Sequence, residues 1–119
     1  MSRITLLGLP HDLAAALIGL LEADSHQVST ASTLEDVRRD DPEVAFVNGD
    51  GPEFPHNVSW LVESIPRLPV VVITRLPDSR RWIDALEAGA RDYCGAPFER
   101  IQLRWILDTA CPPAVRRAA

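Results

Sequence analysis

A few residues in this chain are of types that could do chemistry. The three histidines, His11, His26 and His56, are the natural proton-transfer groups, yet they are scattered, with no nucleophile at a triad relation and no metal-ligand spacing. Cys94 and Cys111 are the two thiols; they form no C-x-x-C and have no histidine at zinc-ligand distance, which predicts reduced side chains. The run Asn48-Gly49-Asp50-Gly51-Pro52 has strong turn chemistry, and Asp50 before a glycine is expected to bond local backbone N–H groups. Asn48-Gly49 is also a deamidation-prone pair, which could restore an acid at position 48. Arg75 directly follows Thr74, and its guanidinium could pair with a nearby carboxylate such as Asp50, join Asn48 and Thr74 in an anion site, or stay solvated. The loop GLPHD, residues 8 to 12, carries no Ser/Thr-rich phosphate cradle, and no Gly-rich dinucleotide signature stands elsewhere. An enzyme reading therefore has no residues to stand on, and no metal or cofactor is expected.

The elements that must position these residues alternate. Ile4 to Leu7 is an apolar run closed by Gly8 and Pro10, suited to a strand buried on both faces. Leu13, Leu17, Leu20 and Leu21 then recur at helical spacing, with Asp12 placed to cap. A brief strand at Gln27 to Thr30 and a short helix from Leu34 to Arg39 follow, the latter broken by Asp40-Asp41-Pro42. Val44 to Val47 is the next strand, and Val58, Leu61 and Val62 mark the next helix. Pro69 to Thr74 is a β-branched strand; Trp82, Ile83 and Leu86 lie on the fourth helix, which Gly89 closes. Asp92 to Cys94 is the fifth strand, and Leu103, Ile106, Leu107 and Ala110 stripe the last helix. Five βα units joined by short loops give an α/β fold, a five-stranded parallel sheet covered on both faces by right-handed crossovers. In such sheets the functional crevice lies beyond the carboxyl ends of the strands, which singles out Gly8 to Asp12, Asn48 to Pro52, Thr74 to Pro77 and Cys94 to Phe98.

Composition narrows the partners. The 119 residues are 46% hydrophobic and 24% charged, which is one globular domain able to bury a core without staples. Twelve basic residues, all arginine, face 17 acidic ones, for a net charge of −5; with no basic stripe, the balance argues against a nucleic-acid face. The apolar runs fall far short of the roughly 20 residues a membrane span needs, and Asp12 interrupts the start too early for a secretory segment. A cytoplasmic location is expected.

The segment ALEAGARDYCGAPF at 85–98 resembles the receiver domain of bacterial response regulators, whose usual form there is ALEAGADDYLxKPF. LPVVVIT at 68–74, LLEADSHQVSTA at 20–31 and PEVAFVN at 42–48 are similar to further receiver segments, and Pro52 stands where the family has its loop proline. The resemblance covers nearly the whole chain and implies the doubly wound flavodoxin-like (βα)5 order 2-1-3-4-5. It places a receiver-like domain at 1–111, with 112–119 as a tail or the start of a linker to an output domain.

A working receiver takes a phosphoryl group onto an aspartate, with Mg²⁺ held by that aspartate and an acidic pair, and a lysine completing the site. Residue by residue, the resemblance puts the acidic pair on Gly8 and Leu9, the phosphoacceptor on Asn48 and the lysine on Ala96. Thr74 and Tyr93, the family's two switch positions, are retained, as are Pro97 and Phe98. An amide cannot form the acyl phosphate, and the vestigial site offers Mg²⁺ no carboxylate at the matched positions. The expectation is a pseudo-receiver that signals without phosphorylation; Asp50 as a substitute phosphoacceptor and an altered pocket that senses a small molecule or anion are the alternatives.

The aromatic residues point to a partner surface. On the last helix Trp105 lies about 200° around the axis from both Leu103 and Leu107, so it and Ile101 face away from the core stripe. The family comparison also places Trp82 outward, beside Tyr93. Trp82, Tyr93, Ile101 and Trp105 are therefore expected to form a surface for a homodimer through the fourth and fifth helices, or for a protein partner or attached output domain. The alternative is that the two tryptophans cover neighbouring apolar surface within one monomer.

Overall fold

The computed structural model describes residues 2–110; Cys111 and the tail at 112–119 lie outside the described residues. Five strands, β1 (Arg3–Leu7), β2 (Gln27–Ala31), β3 (Val44–Asn48), β4 (Val70–Thr74) and β5 (Asp92–Gly95), alternate with five helices, α1 (His11–Ala23), α2 (Leu34–Asp40), α3 (Phe54–Ser64), α4 (Ser79–Glu87) and α5 (Arg100–Ala110). The strands form one parallel sheet in the order β2-β1-β3-β4-β5, the expected doubly wound arrangement.

The central strands are apolar on both sides because both sheet faces are covered. Ile4, Leu6, Val44, Phe46, Val71, Ile73 and Cys94 point to the face packed by Leu13, Leu17 and Leu21 of α1 and by Leu103, Ile106, Leu107 and Ala110 of α5. The alternate residues Ala45, Val47, Val70 and Val72 meet Val37, Phe54, Val58, Leu61 and Ala85 from α2, α3 and α4. β2 is the exposed edge: of its residues only Ala31 is buried.

Local chemistry sets the helix ends. Thr33 and Asp36 form a reciprocal capping box on α2, Asp78 caps α4 through the Arg81 N–H, and Gly89 follows α4 with φ +108°, the left-handed geometry glycine favours. One expectation is corrected. Asp12 does not cap α1; Pro10 holds the N-cap position without a side-chain bond, and Asp12 sits inside the first turn with its carboxylate engaged elsewhere. In α4 only Ala85 is buried, while Trp82, Ile83 and Leu86 remain 49%, 47% and 42% exposed, so the apolar stripe that marks this helix in the sequence faces away from the core.

Candidate functional site

The carboxyl edge of the sheet gathers five loops: 8–10 after β1, 32–33 after β2, 49–53 after β3, 75–78 after β4 and 96–99 after β5. Arg75 joins the 75–78 loop both to Asp50 of the 49–53 loop and to Asp12 in the first turn of α1, and a main-chain bond from Ala96 ties the 96–99 loop to the end of β4.

Gly49 brings the β3–α3 loop against β4. Its N–H donates to the Ile73 carbonyl at 2.7 Å, and a Cβ at this position would lie 2.3 Å from Val72 Cγ1, so only glycine allows the approach. The Asn48 Oδ1 then accepts the Asp50 N–H at 3.0 Å, which turns the Asp50 carboxylate toward β4. There the fully buried Thr74 donates its hydroxyl to Asp50 Oδ1, and the Arg75 N–H donates to both Asp50 oxygens at 3.1 Å. The Thr74 hydroxyl accepts the Leu76 N–H at 3.0 Å, so its own proton is directed at Asp50.

The Arg75 side chain departs in the other direction. Its guanidinium grips Asp12 through Nη1–Oδ2 at 2.6 Å and Nη2–Oδ1 at 2.5 Å, a two-pronged pair joining the β4–α4 loop to α1. That hydrogen bonding holds the Asp12 carboxyl below its ordinary range and raises the Arg75 guanidinium above its own. Of the three sequence readings of Arg75, pairing with a local carboxylate is the one realised, with Asp12 in place of Asp50. Arg81, from the first turn of α4, adds a bond from Nη1 to the Gly49 carbonyl at 2.8 Å. The Ala96 N–H donates to the Thr74 carbonyl at 2.8 Å, and the Ala96-Pro97 peptide is cis.

The residues that the receiver resemblance matches to a phosphorylation site are thus split. Gly8 and Asn48 line a cavity of about 270 Å³ with Ser32, Thr33, Glu53 and Asn57, between β1 and β3, where the strand order reverses. Leu9 packs on the α1/α5 core layer, as does Ala96. Thr74 and Arg75 do not line that cavity. Mg²⁺ does not fit these residues. Position 48 offers an amide, position 8 no side chain, and the two nearby carboxylates are committed to Arg75 and Thr74; among the described residues no cluster of three acidic, histidine or cysteine side chains could hold a metal.

The histidines stay apart: His11 opens α1, His56 lies exposed on α3, and His26 Nδ1 accepts the Ser2 N–H at 3.1 Å. Cys94 is buried against the α1/α5 layer, and desolvation pushes its thiol up to about 11.

Away from the loops, Trp105 and Ile101 on α5 are 66% and 74% exposed. Tyr93 behaves differently from these two: its ring packs on the α2/α3/α4 layer and its hydroxyl is buried with no hydrogen-bond partner among the described residues. Because Val72 pairs with Tyr93 and Thr74 with Gly95 in register, Thr74 and Tyr93 lie on the same face of the sheet.

Two residues of this edge escape sequence reasoning. Asp12 reads as a helix cap, and the partner that claims it comes from a loop 63 positions away. Arg81 has no part in the sequence reading; its position in the first turn of α4, beside the loops, is the sequence signal of its contact with Gly49.

No protein-family model matches the sequence. The chain is similar to the transcriptional regulatory protein VxrB of Vibrio cholerae, 30% identical over 97 residues that cover 77% of this chain and 39% of that protein. The chain therefore spans well under half the length of that curated relative. Among solved structures it is similar to NtrX from Brucella abortus, with a TM-score of 0.84 at 21% identity over 98% of this chain and 28% of that one. A response regulator from Thermotoga maritima gives 0.79 at 23% identity, over 89% of this chain and 97% of that one. The chemotaxis protein CheY4 of Vibrio cholerae gives 0.80 at 14% identity, over 92% of this chain and 98% of that one. Five parallel strands in the order 2-1-3-4-5, five flanking helices and these neighbours together give the chain the CheY-like, flavodoxin-like fold of response regulator receiver domains.

Proposed function

We propose that this chain is a receiver domain that works without phosphorylation, as a cytoplasmic protein-interaction module in bacterial signalling or transcriptional control. The observation that carries the reading is the state of position 48: an amide whose oxygen is occupied by the Asp50 N–H, in a site whose two neighbouring carboxylates are bound to Thr74 and Arg75. Phosphoryl transfer in a receiver uses a carboxylate nucleophile at this position and a cation over the phosphoryl oxygens; position 48 offers an amide, and the nearby Arg75 guanidinium is bound to Asp12. Asp50 is a poor substitute acceptor, because its carboxylate is turned onto β4, with Oδ1 accepting the Thr74 hydroxyl and both oxygens sharing the Arg75 N–H.

Output then rests on binding. In a two-state protein only a ligand with differential affinity can shift the equilibrium, so a second copy, a protein partner or an attached output domain must supply the bias. The exposed Trp82, Ile83 and Leu86 on α4 and Ile101 and Trp105 on α5 offer apolar surface for that contact. Incubation with acetyl phosphate and Mg²⁺ tests the reading: the intact mass should not change, and a gain of one phosphoryl group would sink it.

A second reading has one observation in its favour, the cavity at the switch point lined by Gly8, Asn48, Ser32, Thr33 and Asn57. A small polar molecule bound there would raise the melting temperature by mass action in a ligand screen, and a flat screen would remove it.

A further inference from the structure

We propose that the Asp50 carboxylate is a resident anion: it fills an oxyanion site built by the Thr74 hydroxyl and the Arg75 main-chain N–H, and thereby holds the β4–α4 loop in one arrangement. Its functional meaning rests on the receiver reading above, in which a transferred phosphoryl group would otherwise be the anion at this edge.

The donors are organised for an anion. Thr74 is fully buried, so its hydroxyl proton must find an acceptor, and the Leu76 N–H bonded to the same oxygen leaves it only the direction of Asp50. The Arg75 N–H is shared between both carboxylate oxygens at equal 3.1 Å distances, as expected for a donor aimed at the centre of a charge. Converging hydroxyl and main-chain donors of this kind make anion-binding concavities in which the donors are fixed before the anion arrives. The positive Arg75 guanidinium stands on the same residue, held by Asp12.

The carboxylate is positioned with equal specificity. Asn48 takes the Asp50 N–H, and the close passage of Gly49 over β4 sets the distance. Asn48 thus has a positioning role that an unused remnant of a phosphoacceptor would not need. The latch reaches the exposed helix as well: Arg81 of α4 bonds the Gly49 carbonyl and the Arg75 N–H bonds Asp50, so the loop carrying Asp50 is tied both to the start of α4 and to the loop leading into it. The face bearing Trp82, Ile83 and Leu86 is therefore set from within the chain.

If Asp50 is an occupant, removing it vacates a site for a free oxyanion, and inorganic phosphate is the probe. With the ¹⁵N-labelled full chain, Asp50→Ala should displace the Thr74, Arg75 and Leu76 amide resonances from their wild-type positions. Titrated phosphate should then move the same three amides saturably in Asp50→Ala and leave the wild type unchanged. Phosphate shifts that are absent in Asp50→Ala, or equal in the two proteins, overturn the proposal. Should the variant not fold, hydrogen exchange on the wild type decides: the amide of Arg75, an exposed residue outside any strand, should be protected like a sheet amide, and fast exchange would overturn the bond to Asp50. A mass gain with acetyl phosphate that persists in Asp50→Ala would defeat the phosphorylation-independent reading instead, and leaves these amide measurements untouched.

Discussion

Arg75 and Asp12 close the carboxyl edge of the sheet from above, two hydrogen bonds of 2.6 and 2.5 Å joining residues 63 positions apart. Both side chains are roughly half exposed or more, so the pair orders loops more than it stabilises the fold. Its acid contribution has a definite sign. Because Arg75 depresses the Asp12 carboxyl in the folded chain, the pair's contribution is fully present above the ordinary carboxylate range and is lost as pH falls through the depressed value. Carboxyl-resonance titration should show the Asp12 midpoint move upward in Arg75→Ala, and an unmoved midpoint would mean the pair does not persist in solution.

Gly49→Ala should be costly. The added methyl would press on Val72 Cγ1, a side chain fully buried in the second core layer, while the Gly49 N–H must keep its bond to Ile73. Overpacking of this kind costs about 1–3 kcal/mol, readable as a lower denaturant midpoint with the slope unchanged. Gly51→Ala is the control, since a Cβ there meets nothing within 4 Å.

Cys94 should resist alkylation in the native chain. It is buried, and its thiol titrates near 11, so almost no thiolate is present at neutral pH. Iodoacetamide labelling should track unfolding and become rapid only in denaturant. The linkage runs opposite to that of Asp12: folded Cys94 holds its proton more tightly than unfolded Cys94, so its contribution is complete below the ordinary thiol range and fades as pH rises toward 11.

Trp82→Ala and Trp105→Ala should separate folding from association. Both side chains are about half exposed or more, and surface substitutions of this kind usually change stability by within about 0.5 kcal/mol. A contact surface built on them predicts that light scattering across a concentration series finds self-association in the native chain and loses it in the double variant. A monomer at every concentration would remove the homodimer and direct the search to a heterologous partner.

The centre of the sheet was legible because β1, β3 and β4 are short apolar runs with a clear breaker: Gly8 after β1, Gly49 after β3 and Pro77 past β4. The α5 stripe of Leu103, Ile106, Leu107 and Ala110 likewise needed only helical spacing to be read as core. What resisted reading was pairing across loops. Asp12, Asp50 and Arg75 each have a bland local role open to them, as a cap, a turn residue or a solvated cation, and nothing in local spacing shows that the fold brings the three together. That requires the sheet order, which puts the loops after β1, β3 and β4 side by side. Tyr93 shows the same limit from the other direction: its ring could be placed beside Trp82 by resemblance, but its packing into the second layer follows from its register with Val72.

The distribution of tryptophan gives the molecule a set of internal optical reporters. Trp60 is packed against the α2/α3/α4 layer, whereas Trp82 and Trp105 stand on the apolar surface of α4 and α5. The red side of the emission band therefore belongs to that surface and the blue side to α3, and an aqueous quencher such as iodide separates them without any label. Whatever settles on α4 and α5 will shield the red component first, so the identity of the occupant can be pursued by fluorescence before its structure is known.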